Sequence, residues 1–499
     1  MNESNLLQLT LLIPLLALAG IQLAARWENV REAVSLIAAS ALFVTVTQLY
    51  QPVLDGQTIA VHWLDILPGL GIAFAVEPLG LMFALVASFL WIITTLYAIG
   101  YMRGHGEKNQ TRFFSLFAVS IGAVMGIAFA ENLFTLFVFY EVLTLCTYPL
   151  VTHAGTDKAR QGGRVYLGIL LGTSVGFFLL AIIATWLLTG TLSFQPGGVF
   201  SPDQFSSENS AVLLSVLLVL FVFGVGKAAM MPFHRWLPAA MVAPTPVSAL
   251  LHAVAVVKAG VFVVLKVCLL IFGIETLQSI PATGWLLYLA GASILLASII
   301  ALRQQNLKKR LAYSTVSQLG YITLGALLAT SAGMTGSALH IVMHAFGKIT
   351  LFFCAGAILV AAHKTEVNEL RGLGRQMPVT MTAFLVASLC IIGIPPTGGT
   401  WSKWYLMLGT FEAEQWTLMA LLMVSSLLSI AYLLPIPLRA FFSSNEPGGS
   451  TAGDSALTET AVIKEAPLPS LIALGVTAAA CVYLLLFPDA FYQLIKAGI

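Results

Sequence analysis

Apolar runs of about 20 residues follow one another along the whole chain, and a run of that length is what a helix needs to cross the hydrocarbon core of a bilayer. Inside hydrocarbon every backbone N–H and C=O must find a partner within the protein, which leaves helices or a closed barrel. The runs are too long and too continuous for barrel strands. Of the 499 residues, 58% are hydrophobic and 9% charged, against roughly a quarter charged in soluble domains. The sequence therefore predicts an all-α polytopic membrane protein.

Counting apolar runs gives 14 predicted spans, among them 74–100 (span three), 133–153 (span five), 211–237 (span seven), 247–273 (span eight), 311–330 (span ten), 334–361 (span eleven) and 378–409 (span twelve). Placing the cations tests the count. Of the 24 Lys and Arg residues, eighteen fall in odd-numbered loops, among them Arg26, Arg103, Lys108, Lys308, Lys309 and Arg310, and none falls in an even-numbered loop. The excess of Lys and Arg on one side marks that side as cytoplasmic, so both termini are expected outside a plasma (cell inner) membrane. The first run has no Lys or Arg before it and is followed by further spans, so it reads as a retained helix.

Two spans carry their own interruption. Span seven reads GVGKAAMMPFHRWLP, with Pro232 five residues after Lys227, and span twelve reads GIPPTGGTWSKWYLM, with Pro395 and Pro396 before Lys403. Proline removes a rung of the helical ladder, so both are predicted to be broken helices. The breaks lie five spans apart, an odd number, so spans 4–8 and 9–13 would run in opposite directions as two inverted five-helix repeats. The expected organisation is a three-helix segment (1–110), a first repeat (111–273), a second repeat (274–442) and a cytoplasmic linker with the last helix (443–499).

Glu141, Lys227, Lys258, Lys348 and Lys403 fall inside these spans. Each charge at membrane depth costs ~2.5–3.5 kcal/mol, and five of them together rival the ~5–15 kcal/mol by which a domain is stable. They must be paired, hydrated or neutral. With one deep carboxylate for four deep lysines, pairing alone does not suffice, and loss of water favours the neutral form of an amine. A lysine that gives up its proton can carry one, which an arginine cannot. Glu141 is expected to pair with Lys227. His252 lies six residues before Lys258, and His340, His344 and Lys348 stand at i, i+4 and i+8 on span eleven. An imidazole accepts on one nitrogen and donates from the other, as a proton relay requires. Two histidines one turn apart could also hold haem or zinc, but no carboxylate or CxxCH motif accompanies them.

Other polar groups read as bystanders. Lys266 is expected to snorkel toward the outer end of span eight, Glu77 to sit at the interface, and His62, His105, His153, His234 and His363 to be solvated. Cys146, Cys268, Cys354, Cys390 and Cys481 lack metal-ligand spacing and read as small buried residues. Neither a GxGxxG nor a Walker loop is present, so no cofactor, metal or nucleic acid is expected and any redox chemistry belongs to partners.

From about residue 72 to 442, the segments FFSLFAVSIGAVMGIAFAENLFTLFVFYEVLTLCTYPLV, KAAMMPFHRWLPAAMVAPTPVSALLHA, NLKKRLAYSTVSQLGYI and MHAFGKITLFF resemble the antiporter-like subunits shared by Mrp-type cation/proton antiporters, respiratory complex I and membrane-bound hydrogenases. The resemblance implies a coupling pair at Glu141 and Lys227, a relay through Lys258 or His252, His340, His344 and Lys348, and a terminal group at Lys403. It further implies other membrane subunits as partners, with protons and a monovalent cation, Na+, as cargo. The chain lacks the long C-terminal extension of the largest such subunits and looks most like the D-type subunit of multisubunit Mrp systems. GIPPTGGTWSKW departs from the PPLSGF wording of many D-type subunits, so a proton-pumping subunit of a complex I-like or hydrogenase assembly stays open as the alternative.

Overall fold

The computed structural model describes residues 2–67, 70–200, 208–249, 255–443 and 463–499. Two helices, α1 (Glu3–Leu23) and α2 (Glu28–Gln48), lead into an antiparallel hairpin of β1 (Ala60–Leu67) and β2 (Leu70–Ala75). Then come α3 (Pro78–Gly104), α4 (Gln110–Ala128), α5 (Leu133–Val151), α6 (Asp157–Thr189), α7 (Glu208–Gly224), α8 (Val256–Val267), α9 (Pro281–Arg303), α10 (Leu307–Leu327) and α11 (Ser331–Ala362). The chain closes with α12 (Pro378–Ile392), α13 (Gly399–Glu412), α14 (Trp416–Leu433), α15 (Leu468–Leu486) and α16 (Asp489–Gly498).

Ten helices among the described residues are long and apolar enough to cross a membrane. Spans seven, eight, ten and twelve of the sequence count are not among them, each for a visible reason. Span seven is cut after Gly224, where Gly226–Ala228 forms a single 3-10 turn, and span twelve is cut between Ile392 and Gly399. Span eight has α8 as its regular part and ends in a π-helical turn, Cys268–Phe272. Span ten is α10, whose interior carries Ser314, Thr315, Ser317 and Gln318, all buried. At the break in span seven the Gly226 carbonyl accepts both the Ala229 N–H at 3.0 Å and the Trp236 indole Nε1–H at 2.9 Å.

The hairpin corrects the purely helical expectation. Val61 pairs with Phe74 and His62 with Ala73; Val61 and Phe74 are buried, and a register shift between His62 and Leu64 breaks the alternation, leaving Trp63 43% exposed. Strand β2 continues into the turn between α4 and α5, with Ala75 N–H donating to Phe129 O at 2.8 Å and Glu131 N–H to Ala73 O at 3.1 Å. That turn pairs onward with the stretch after α6, where Phe194 N–H donates to Glu131 O at 3.1 Å. These segments form a cap over one end of the helices.

Helix α11 is the axis of the second half. It is buried from Ala332 to Ile358 and is contacted by α3, α8, α10, α12, α13 and α15. At the opposite end from the hairpin, the buried Glu32 accepts two bonds from Arg103, at 3.1 and 2.5 Å, while Arg31 donates to Gln110 at 2.8 Å and Thr111 at 3.1 Å, clasping α2, α3 and α4 together.

Candidate proton-conducting site

Lys227 lies in the 3-10 turn that interrupts span seven and is fully buried. Its position depends on Gly260 of α8, because a Cβ there would meet the Lys227 carbonyl carbon at 2.3 Å. The ammonium donates to Tyr140 O at 2.7 Å and Thr144 Oγ1 at 2.6 Å, and it lies 3.1 Å from the centroid of the Tyr140 ring. The expected ion pair with Glu141 is not formed. Tyr140 and Thr144 stand one turn apart on the face of α5 that meets the break, whereas Glu141 is rotated a hundred-odd degrees round the helix. Both of its carboxylate oxygens are buried without a hydrogen-bond partner.

A second set of groups begins at Lys258, also fully buried. Its Nζ is hydrogen-bonded to His344 Nδ1, which joins α8 to α11. The His344 ring stacks on His340 with centroids 5.7 Å apart, and His340 bonds Ser402 Oγ at 2.9 Å through Nδ1 and Gln318 Oε1 at 3.1 Å through Nε2. On its other side His340 stacks against Tyr321, at 5.7 Å. Lys403, in the first turns of α13 after the break, is 7% exposed and donates to Ser426 Oγ at 2.9 Å, with its ammonium 4.8 Å from the centroid of the Tyr321 ring. The structure thus brings Lys258, His344, His340 and Lys403 together along α8, α11 and α13.

Lys348 leaves that line. At i+8 from His340 it has drifted round the helix and turns to α10, donating to Ser314 Oγ at 2.6 Å and Leu311 O at 3.2 Å. Ser314 in turn bonds Tyr432 Oη at 2.9 Å, and Tyr432 bonds Ser429 at 3.0 Å. His252 lies outside the described residues. Hydroxyls and an amide that sequence reasoning did not single out, Thr144, Ser314, Gln318, Ser402 and Ser426, supply the partners; the buried polar run of α10, STVSQ, was the available signal.

Two bystander readings are corrected. Lys266 does not snorkel: it is fully buried, pairs with Glu77 at 2.9 Å, donates to Ala130 O at 2.7 Å and lies 4.0 Å from the Phe194 ring centroid. The cap closes over the end of α8 and keeps its ammonium from water, so the carboxylate at the head of α3 supplies the counter-charge. His153 is likewise buried, with Nε2 2.9 Å from Lys108 O and the ring within reach of Arg112. Among the described residues no three His, Cys, Asp or Glu side chains converge as they would around a metal ion.

Lysine, histidine, serine and tyrosine all exchange protons through hydrogen bonds. Amines and imidazoles held at this depth on apolar helices are the hallmark of a multi-pass membrane protein that handles ions. Residues 130–429 match the family described as NADH:quinone oxidoreductase/Mrp antiporter, TM, and residues 63–114 match that of NADH-Ubiquinone oxidoreductase (complex I), chain 5 N-terminus. The chain belongs to this family of antiporter-like subunits of Mrp and complex I-type assemblies.

It is 33% identical over 391 residues to NADH-quinone oxidoreductase subunit N of Desulforudis audaxviator, covering 77% of this chain and 76% of that one. It is 34% identical over 370 residues to the A/B subunit of a probable K(+)/H(+) antiporter of Rhizobium meliloti, covering 73% of this chain and 36% of that longer one. Its fold superposes on a chain of the Mrp complex from Dietzia sp. DQ12-45-1b with a TM-score of 0.83 at 21% identity, covering 100% of this chain and 97% of that one.

Proposed function

We propose that this chain is a proton-translocating subunit of a multisubunit cation/proton antiporter, exchanging H+ for Na+ along a mid-membrane relay. The observation that carries the reading is the hydrogen bond between Lys258 and His344, continued through His340 to Ser402, because it joins groups on three helices that can pass a proton. In this reading Lys227 and the unpartnered carboxylate of Glu141 form the input in the first repeat, Lys258 or His252 hands the proton to His344 and His340, Lys348 is a side branch toward α10, and Lys403 is the exit. The 14-span count, with the four interrupted or polar helices included, and the division into inverted repeats at 111–273 and 274–442 belong to the same reading.

The test uses everted membrane vesicles carrying the assembled complex and an imposed pH gradient. Added Na+ should dissipate the gradient in wild type, and Lys227→Ala should slow this by about 100-fold, the scale of losing one positioned acid–base group. Normal exchange in Lys227→Ala would remove the relay from the mechanism. The relationship to a quinone oxidoreductase subunit favours a second reading, a proton pump driven by a partner's redox chemistry. In that case an electron donor, and not Na+, moves protons in the same vesicles.

The lysine and arginine bias supports an orientation with both termini outside. A reporter fused after Ile499 should then behave as extracytoplasmic and one inserted near Gly449 as cytoplasmic. The reverse pattern would mean the spans are miscounted by one.

A further inference from the structure

Arg310, in the first turn of α10, is 7% exposed and yet has no counter-ion. Its guanidinium donates to three neutral carbonyls, Gln304 O at 2.9 Å, Tyr432 O at 3.1 Å and Leu302 O at 3.4 Å. Three of its five N–H groups are thereby used. The charged side chain nearest in effect is another cation, Arg439, on the short helix Pro435–Phe442 that follows α14. Among the described residues neither arginine forms an ion pair. Between them lies a cavity of about 200 Å³, whose wall also includes Gln305 and Asn368.

A buried cation whose neighbour is a second cation is unfavourable until an anion enters, and a guanidinium fork fits a tetrahedral oxyanion through paired, charge-assisted bonds. We propose that this cavity binds a phosphate-type anion, held by Arg310 and Arg439 with the amides of Gln305 and Asn368 as neutral donors. The phosphate comes either from a lipid headgroup or from solution. The surroundings suit a lipid, because Leu302 is 40% exposed, Leu438 41% and Phe442 82%, an apolar surface along which acyl chains can lie. The site adjoins the ion path. One of the carbonyls that Arg310 holds belongs to Tyr432, whose hydroxyl bonds Ser314, the acceptor of the Lys348 ammonium.

The test measures binding to the full chain in its purified complex, with phosphatidylglycerol and inorganic phosphate as separate probes and phosphatidylcholine as the neutral lipid. Arg439 is exposed, so Arg439→Gln should fold normally, and the distant, exposed Arg26→Gln serves as the control. Affinity for the anionic probe is expected to fall about tenfold or more in Arg439→Gln and not in Arg26→Gln. A loss seen with phosphatidylglycerol alone assigns the site to a lipid headgroup, and a loss seen with inorganic phosphate as well assigns it to a free anion. Equal affinity in wild type and Arg439→Gln, or no preference for either anionic probe over phosphatidylcholine, overturns the proposal. None of these outcomes depends on transport activity, so they remain distinct from a failure of the relay.

Discussion

Replacing Lys403 by arginine is expected to stop proton-coupled transport almost as completely as replacing it by alanine. The residue lies where the buried groups meet the break in span twelve, and its ammonium reaches Ser426 Oγ beside the Tyr321 ring. If Lys403 is the exit, it must release a proton in every cycle. A guanidinium keeps the charge but does not release its proton in proteins, so Lys403→Arg should lose about 100-fold in Na+-induced dissipation of the pH gradient. Space alone does not explain such a loss if Lys403→Glu, which is smaller and can titrate, keeps part of the activity. The distinction matters because the fit is close: a Cβ on Gly393 would come within 2.6 Å of the Lys403 side chain. Normal transport in Lys403→Arg would make the residue a fixed positive gate and move the exit elsewhere.

What could be read from the sequence was whatever depends on local composition. Charges are rare in apolar helices, so Lys227, Lys258, Lys348 and Lys403 stood out, and proline marked both breaks before any fold was known. The partners of those charges were not legible, because they are set by helix packing. Nothing local says that Lys227 turns to Thr144 and the Tyr140 carbonyl in place of Glu141, or that Lys348 turns to Ser314 and not toward His344. Serine and threonine also hide well in membrane helices, where most of them bond the carbonyl a turn behind, as Ser88 and Thr95 do. The hairpin is not legible in the sequence because AVHWLDIL and LGIAFA carry no period-two alternation and lie beside 20-residue apolar runs. The burial of Lys266 is not legible either, since only the cap formed by that hairpin and the turn after α4 keeps its ammonium inside and paired with Glu77.

The second large effect is expected at the junction between the two halves. In the proposed relay, the Lys258–His344 hydrogen bond is where a proton would cross from α8 to α11, and His340, bonded to Ser402, would carry it on. His344→Leu keeps similar bulk inside a helix that is buried on all sides, so the complex should assemble, but it removes the only groups at that position able to accept and donate a proton. The decisive measurement is therefore the rate at which added Na+ dissipates an imposed pH gradient in vesicles holding the fully assembled His344→Leu complex, compared with wild type at equal protein content. A relay through the centre of the membrane predicts a rate lower by about 100-fold, close to that of vesicles without the complex. A wild-type rate would contradict it, because protons would then cross without passing between the two halves of this chain.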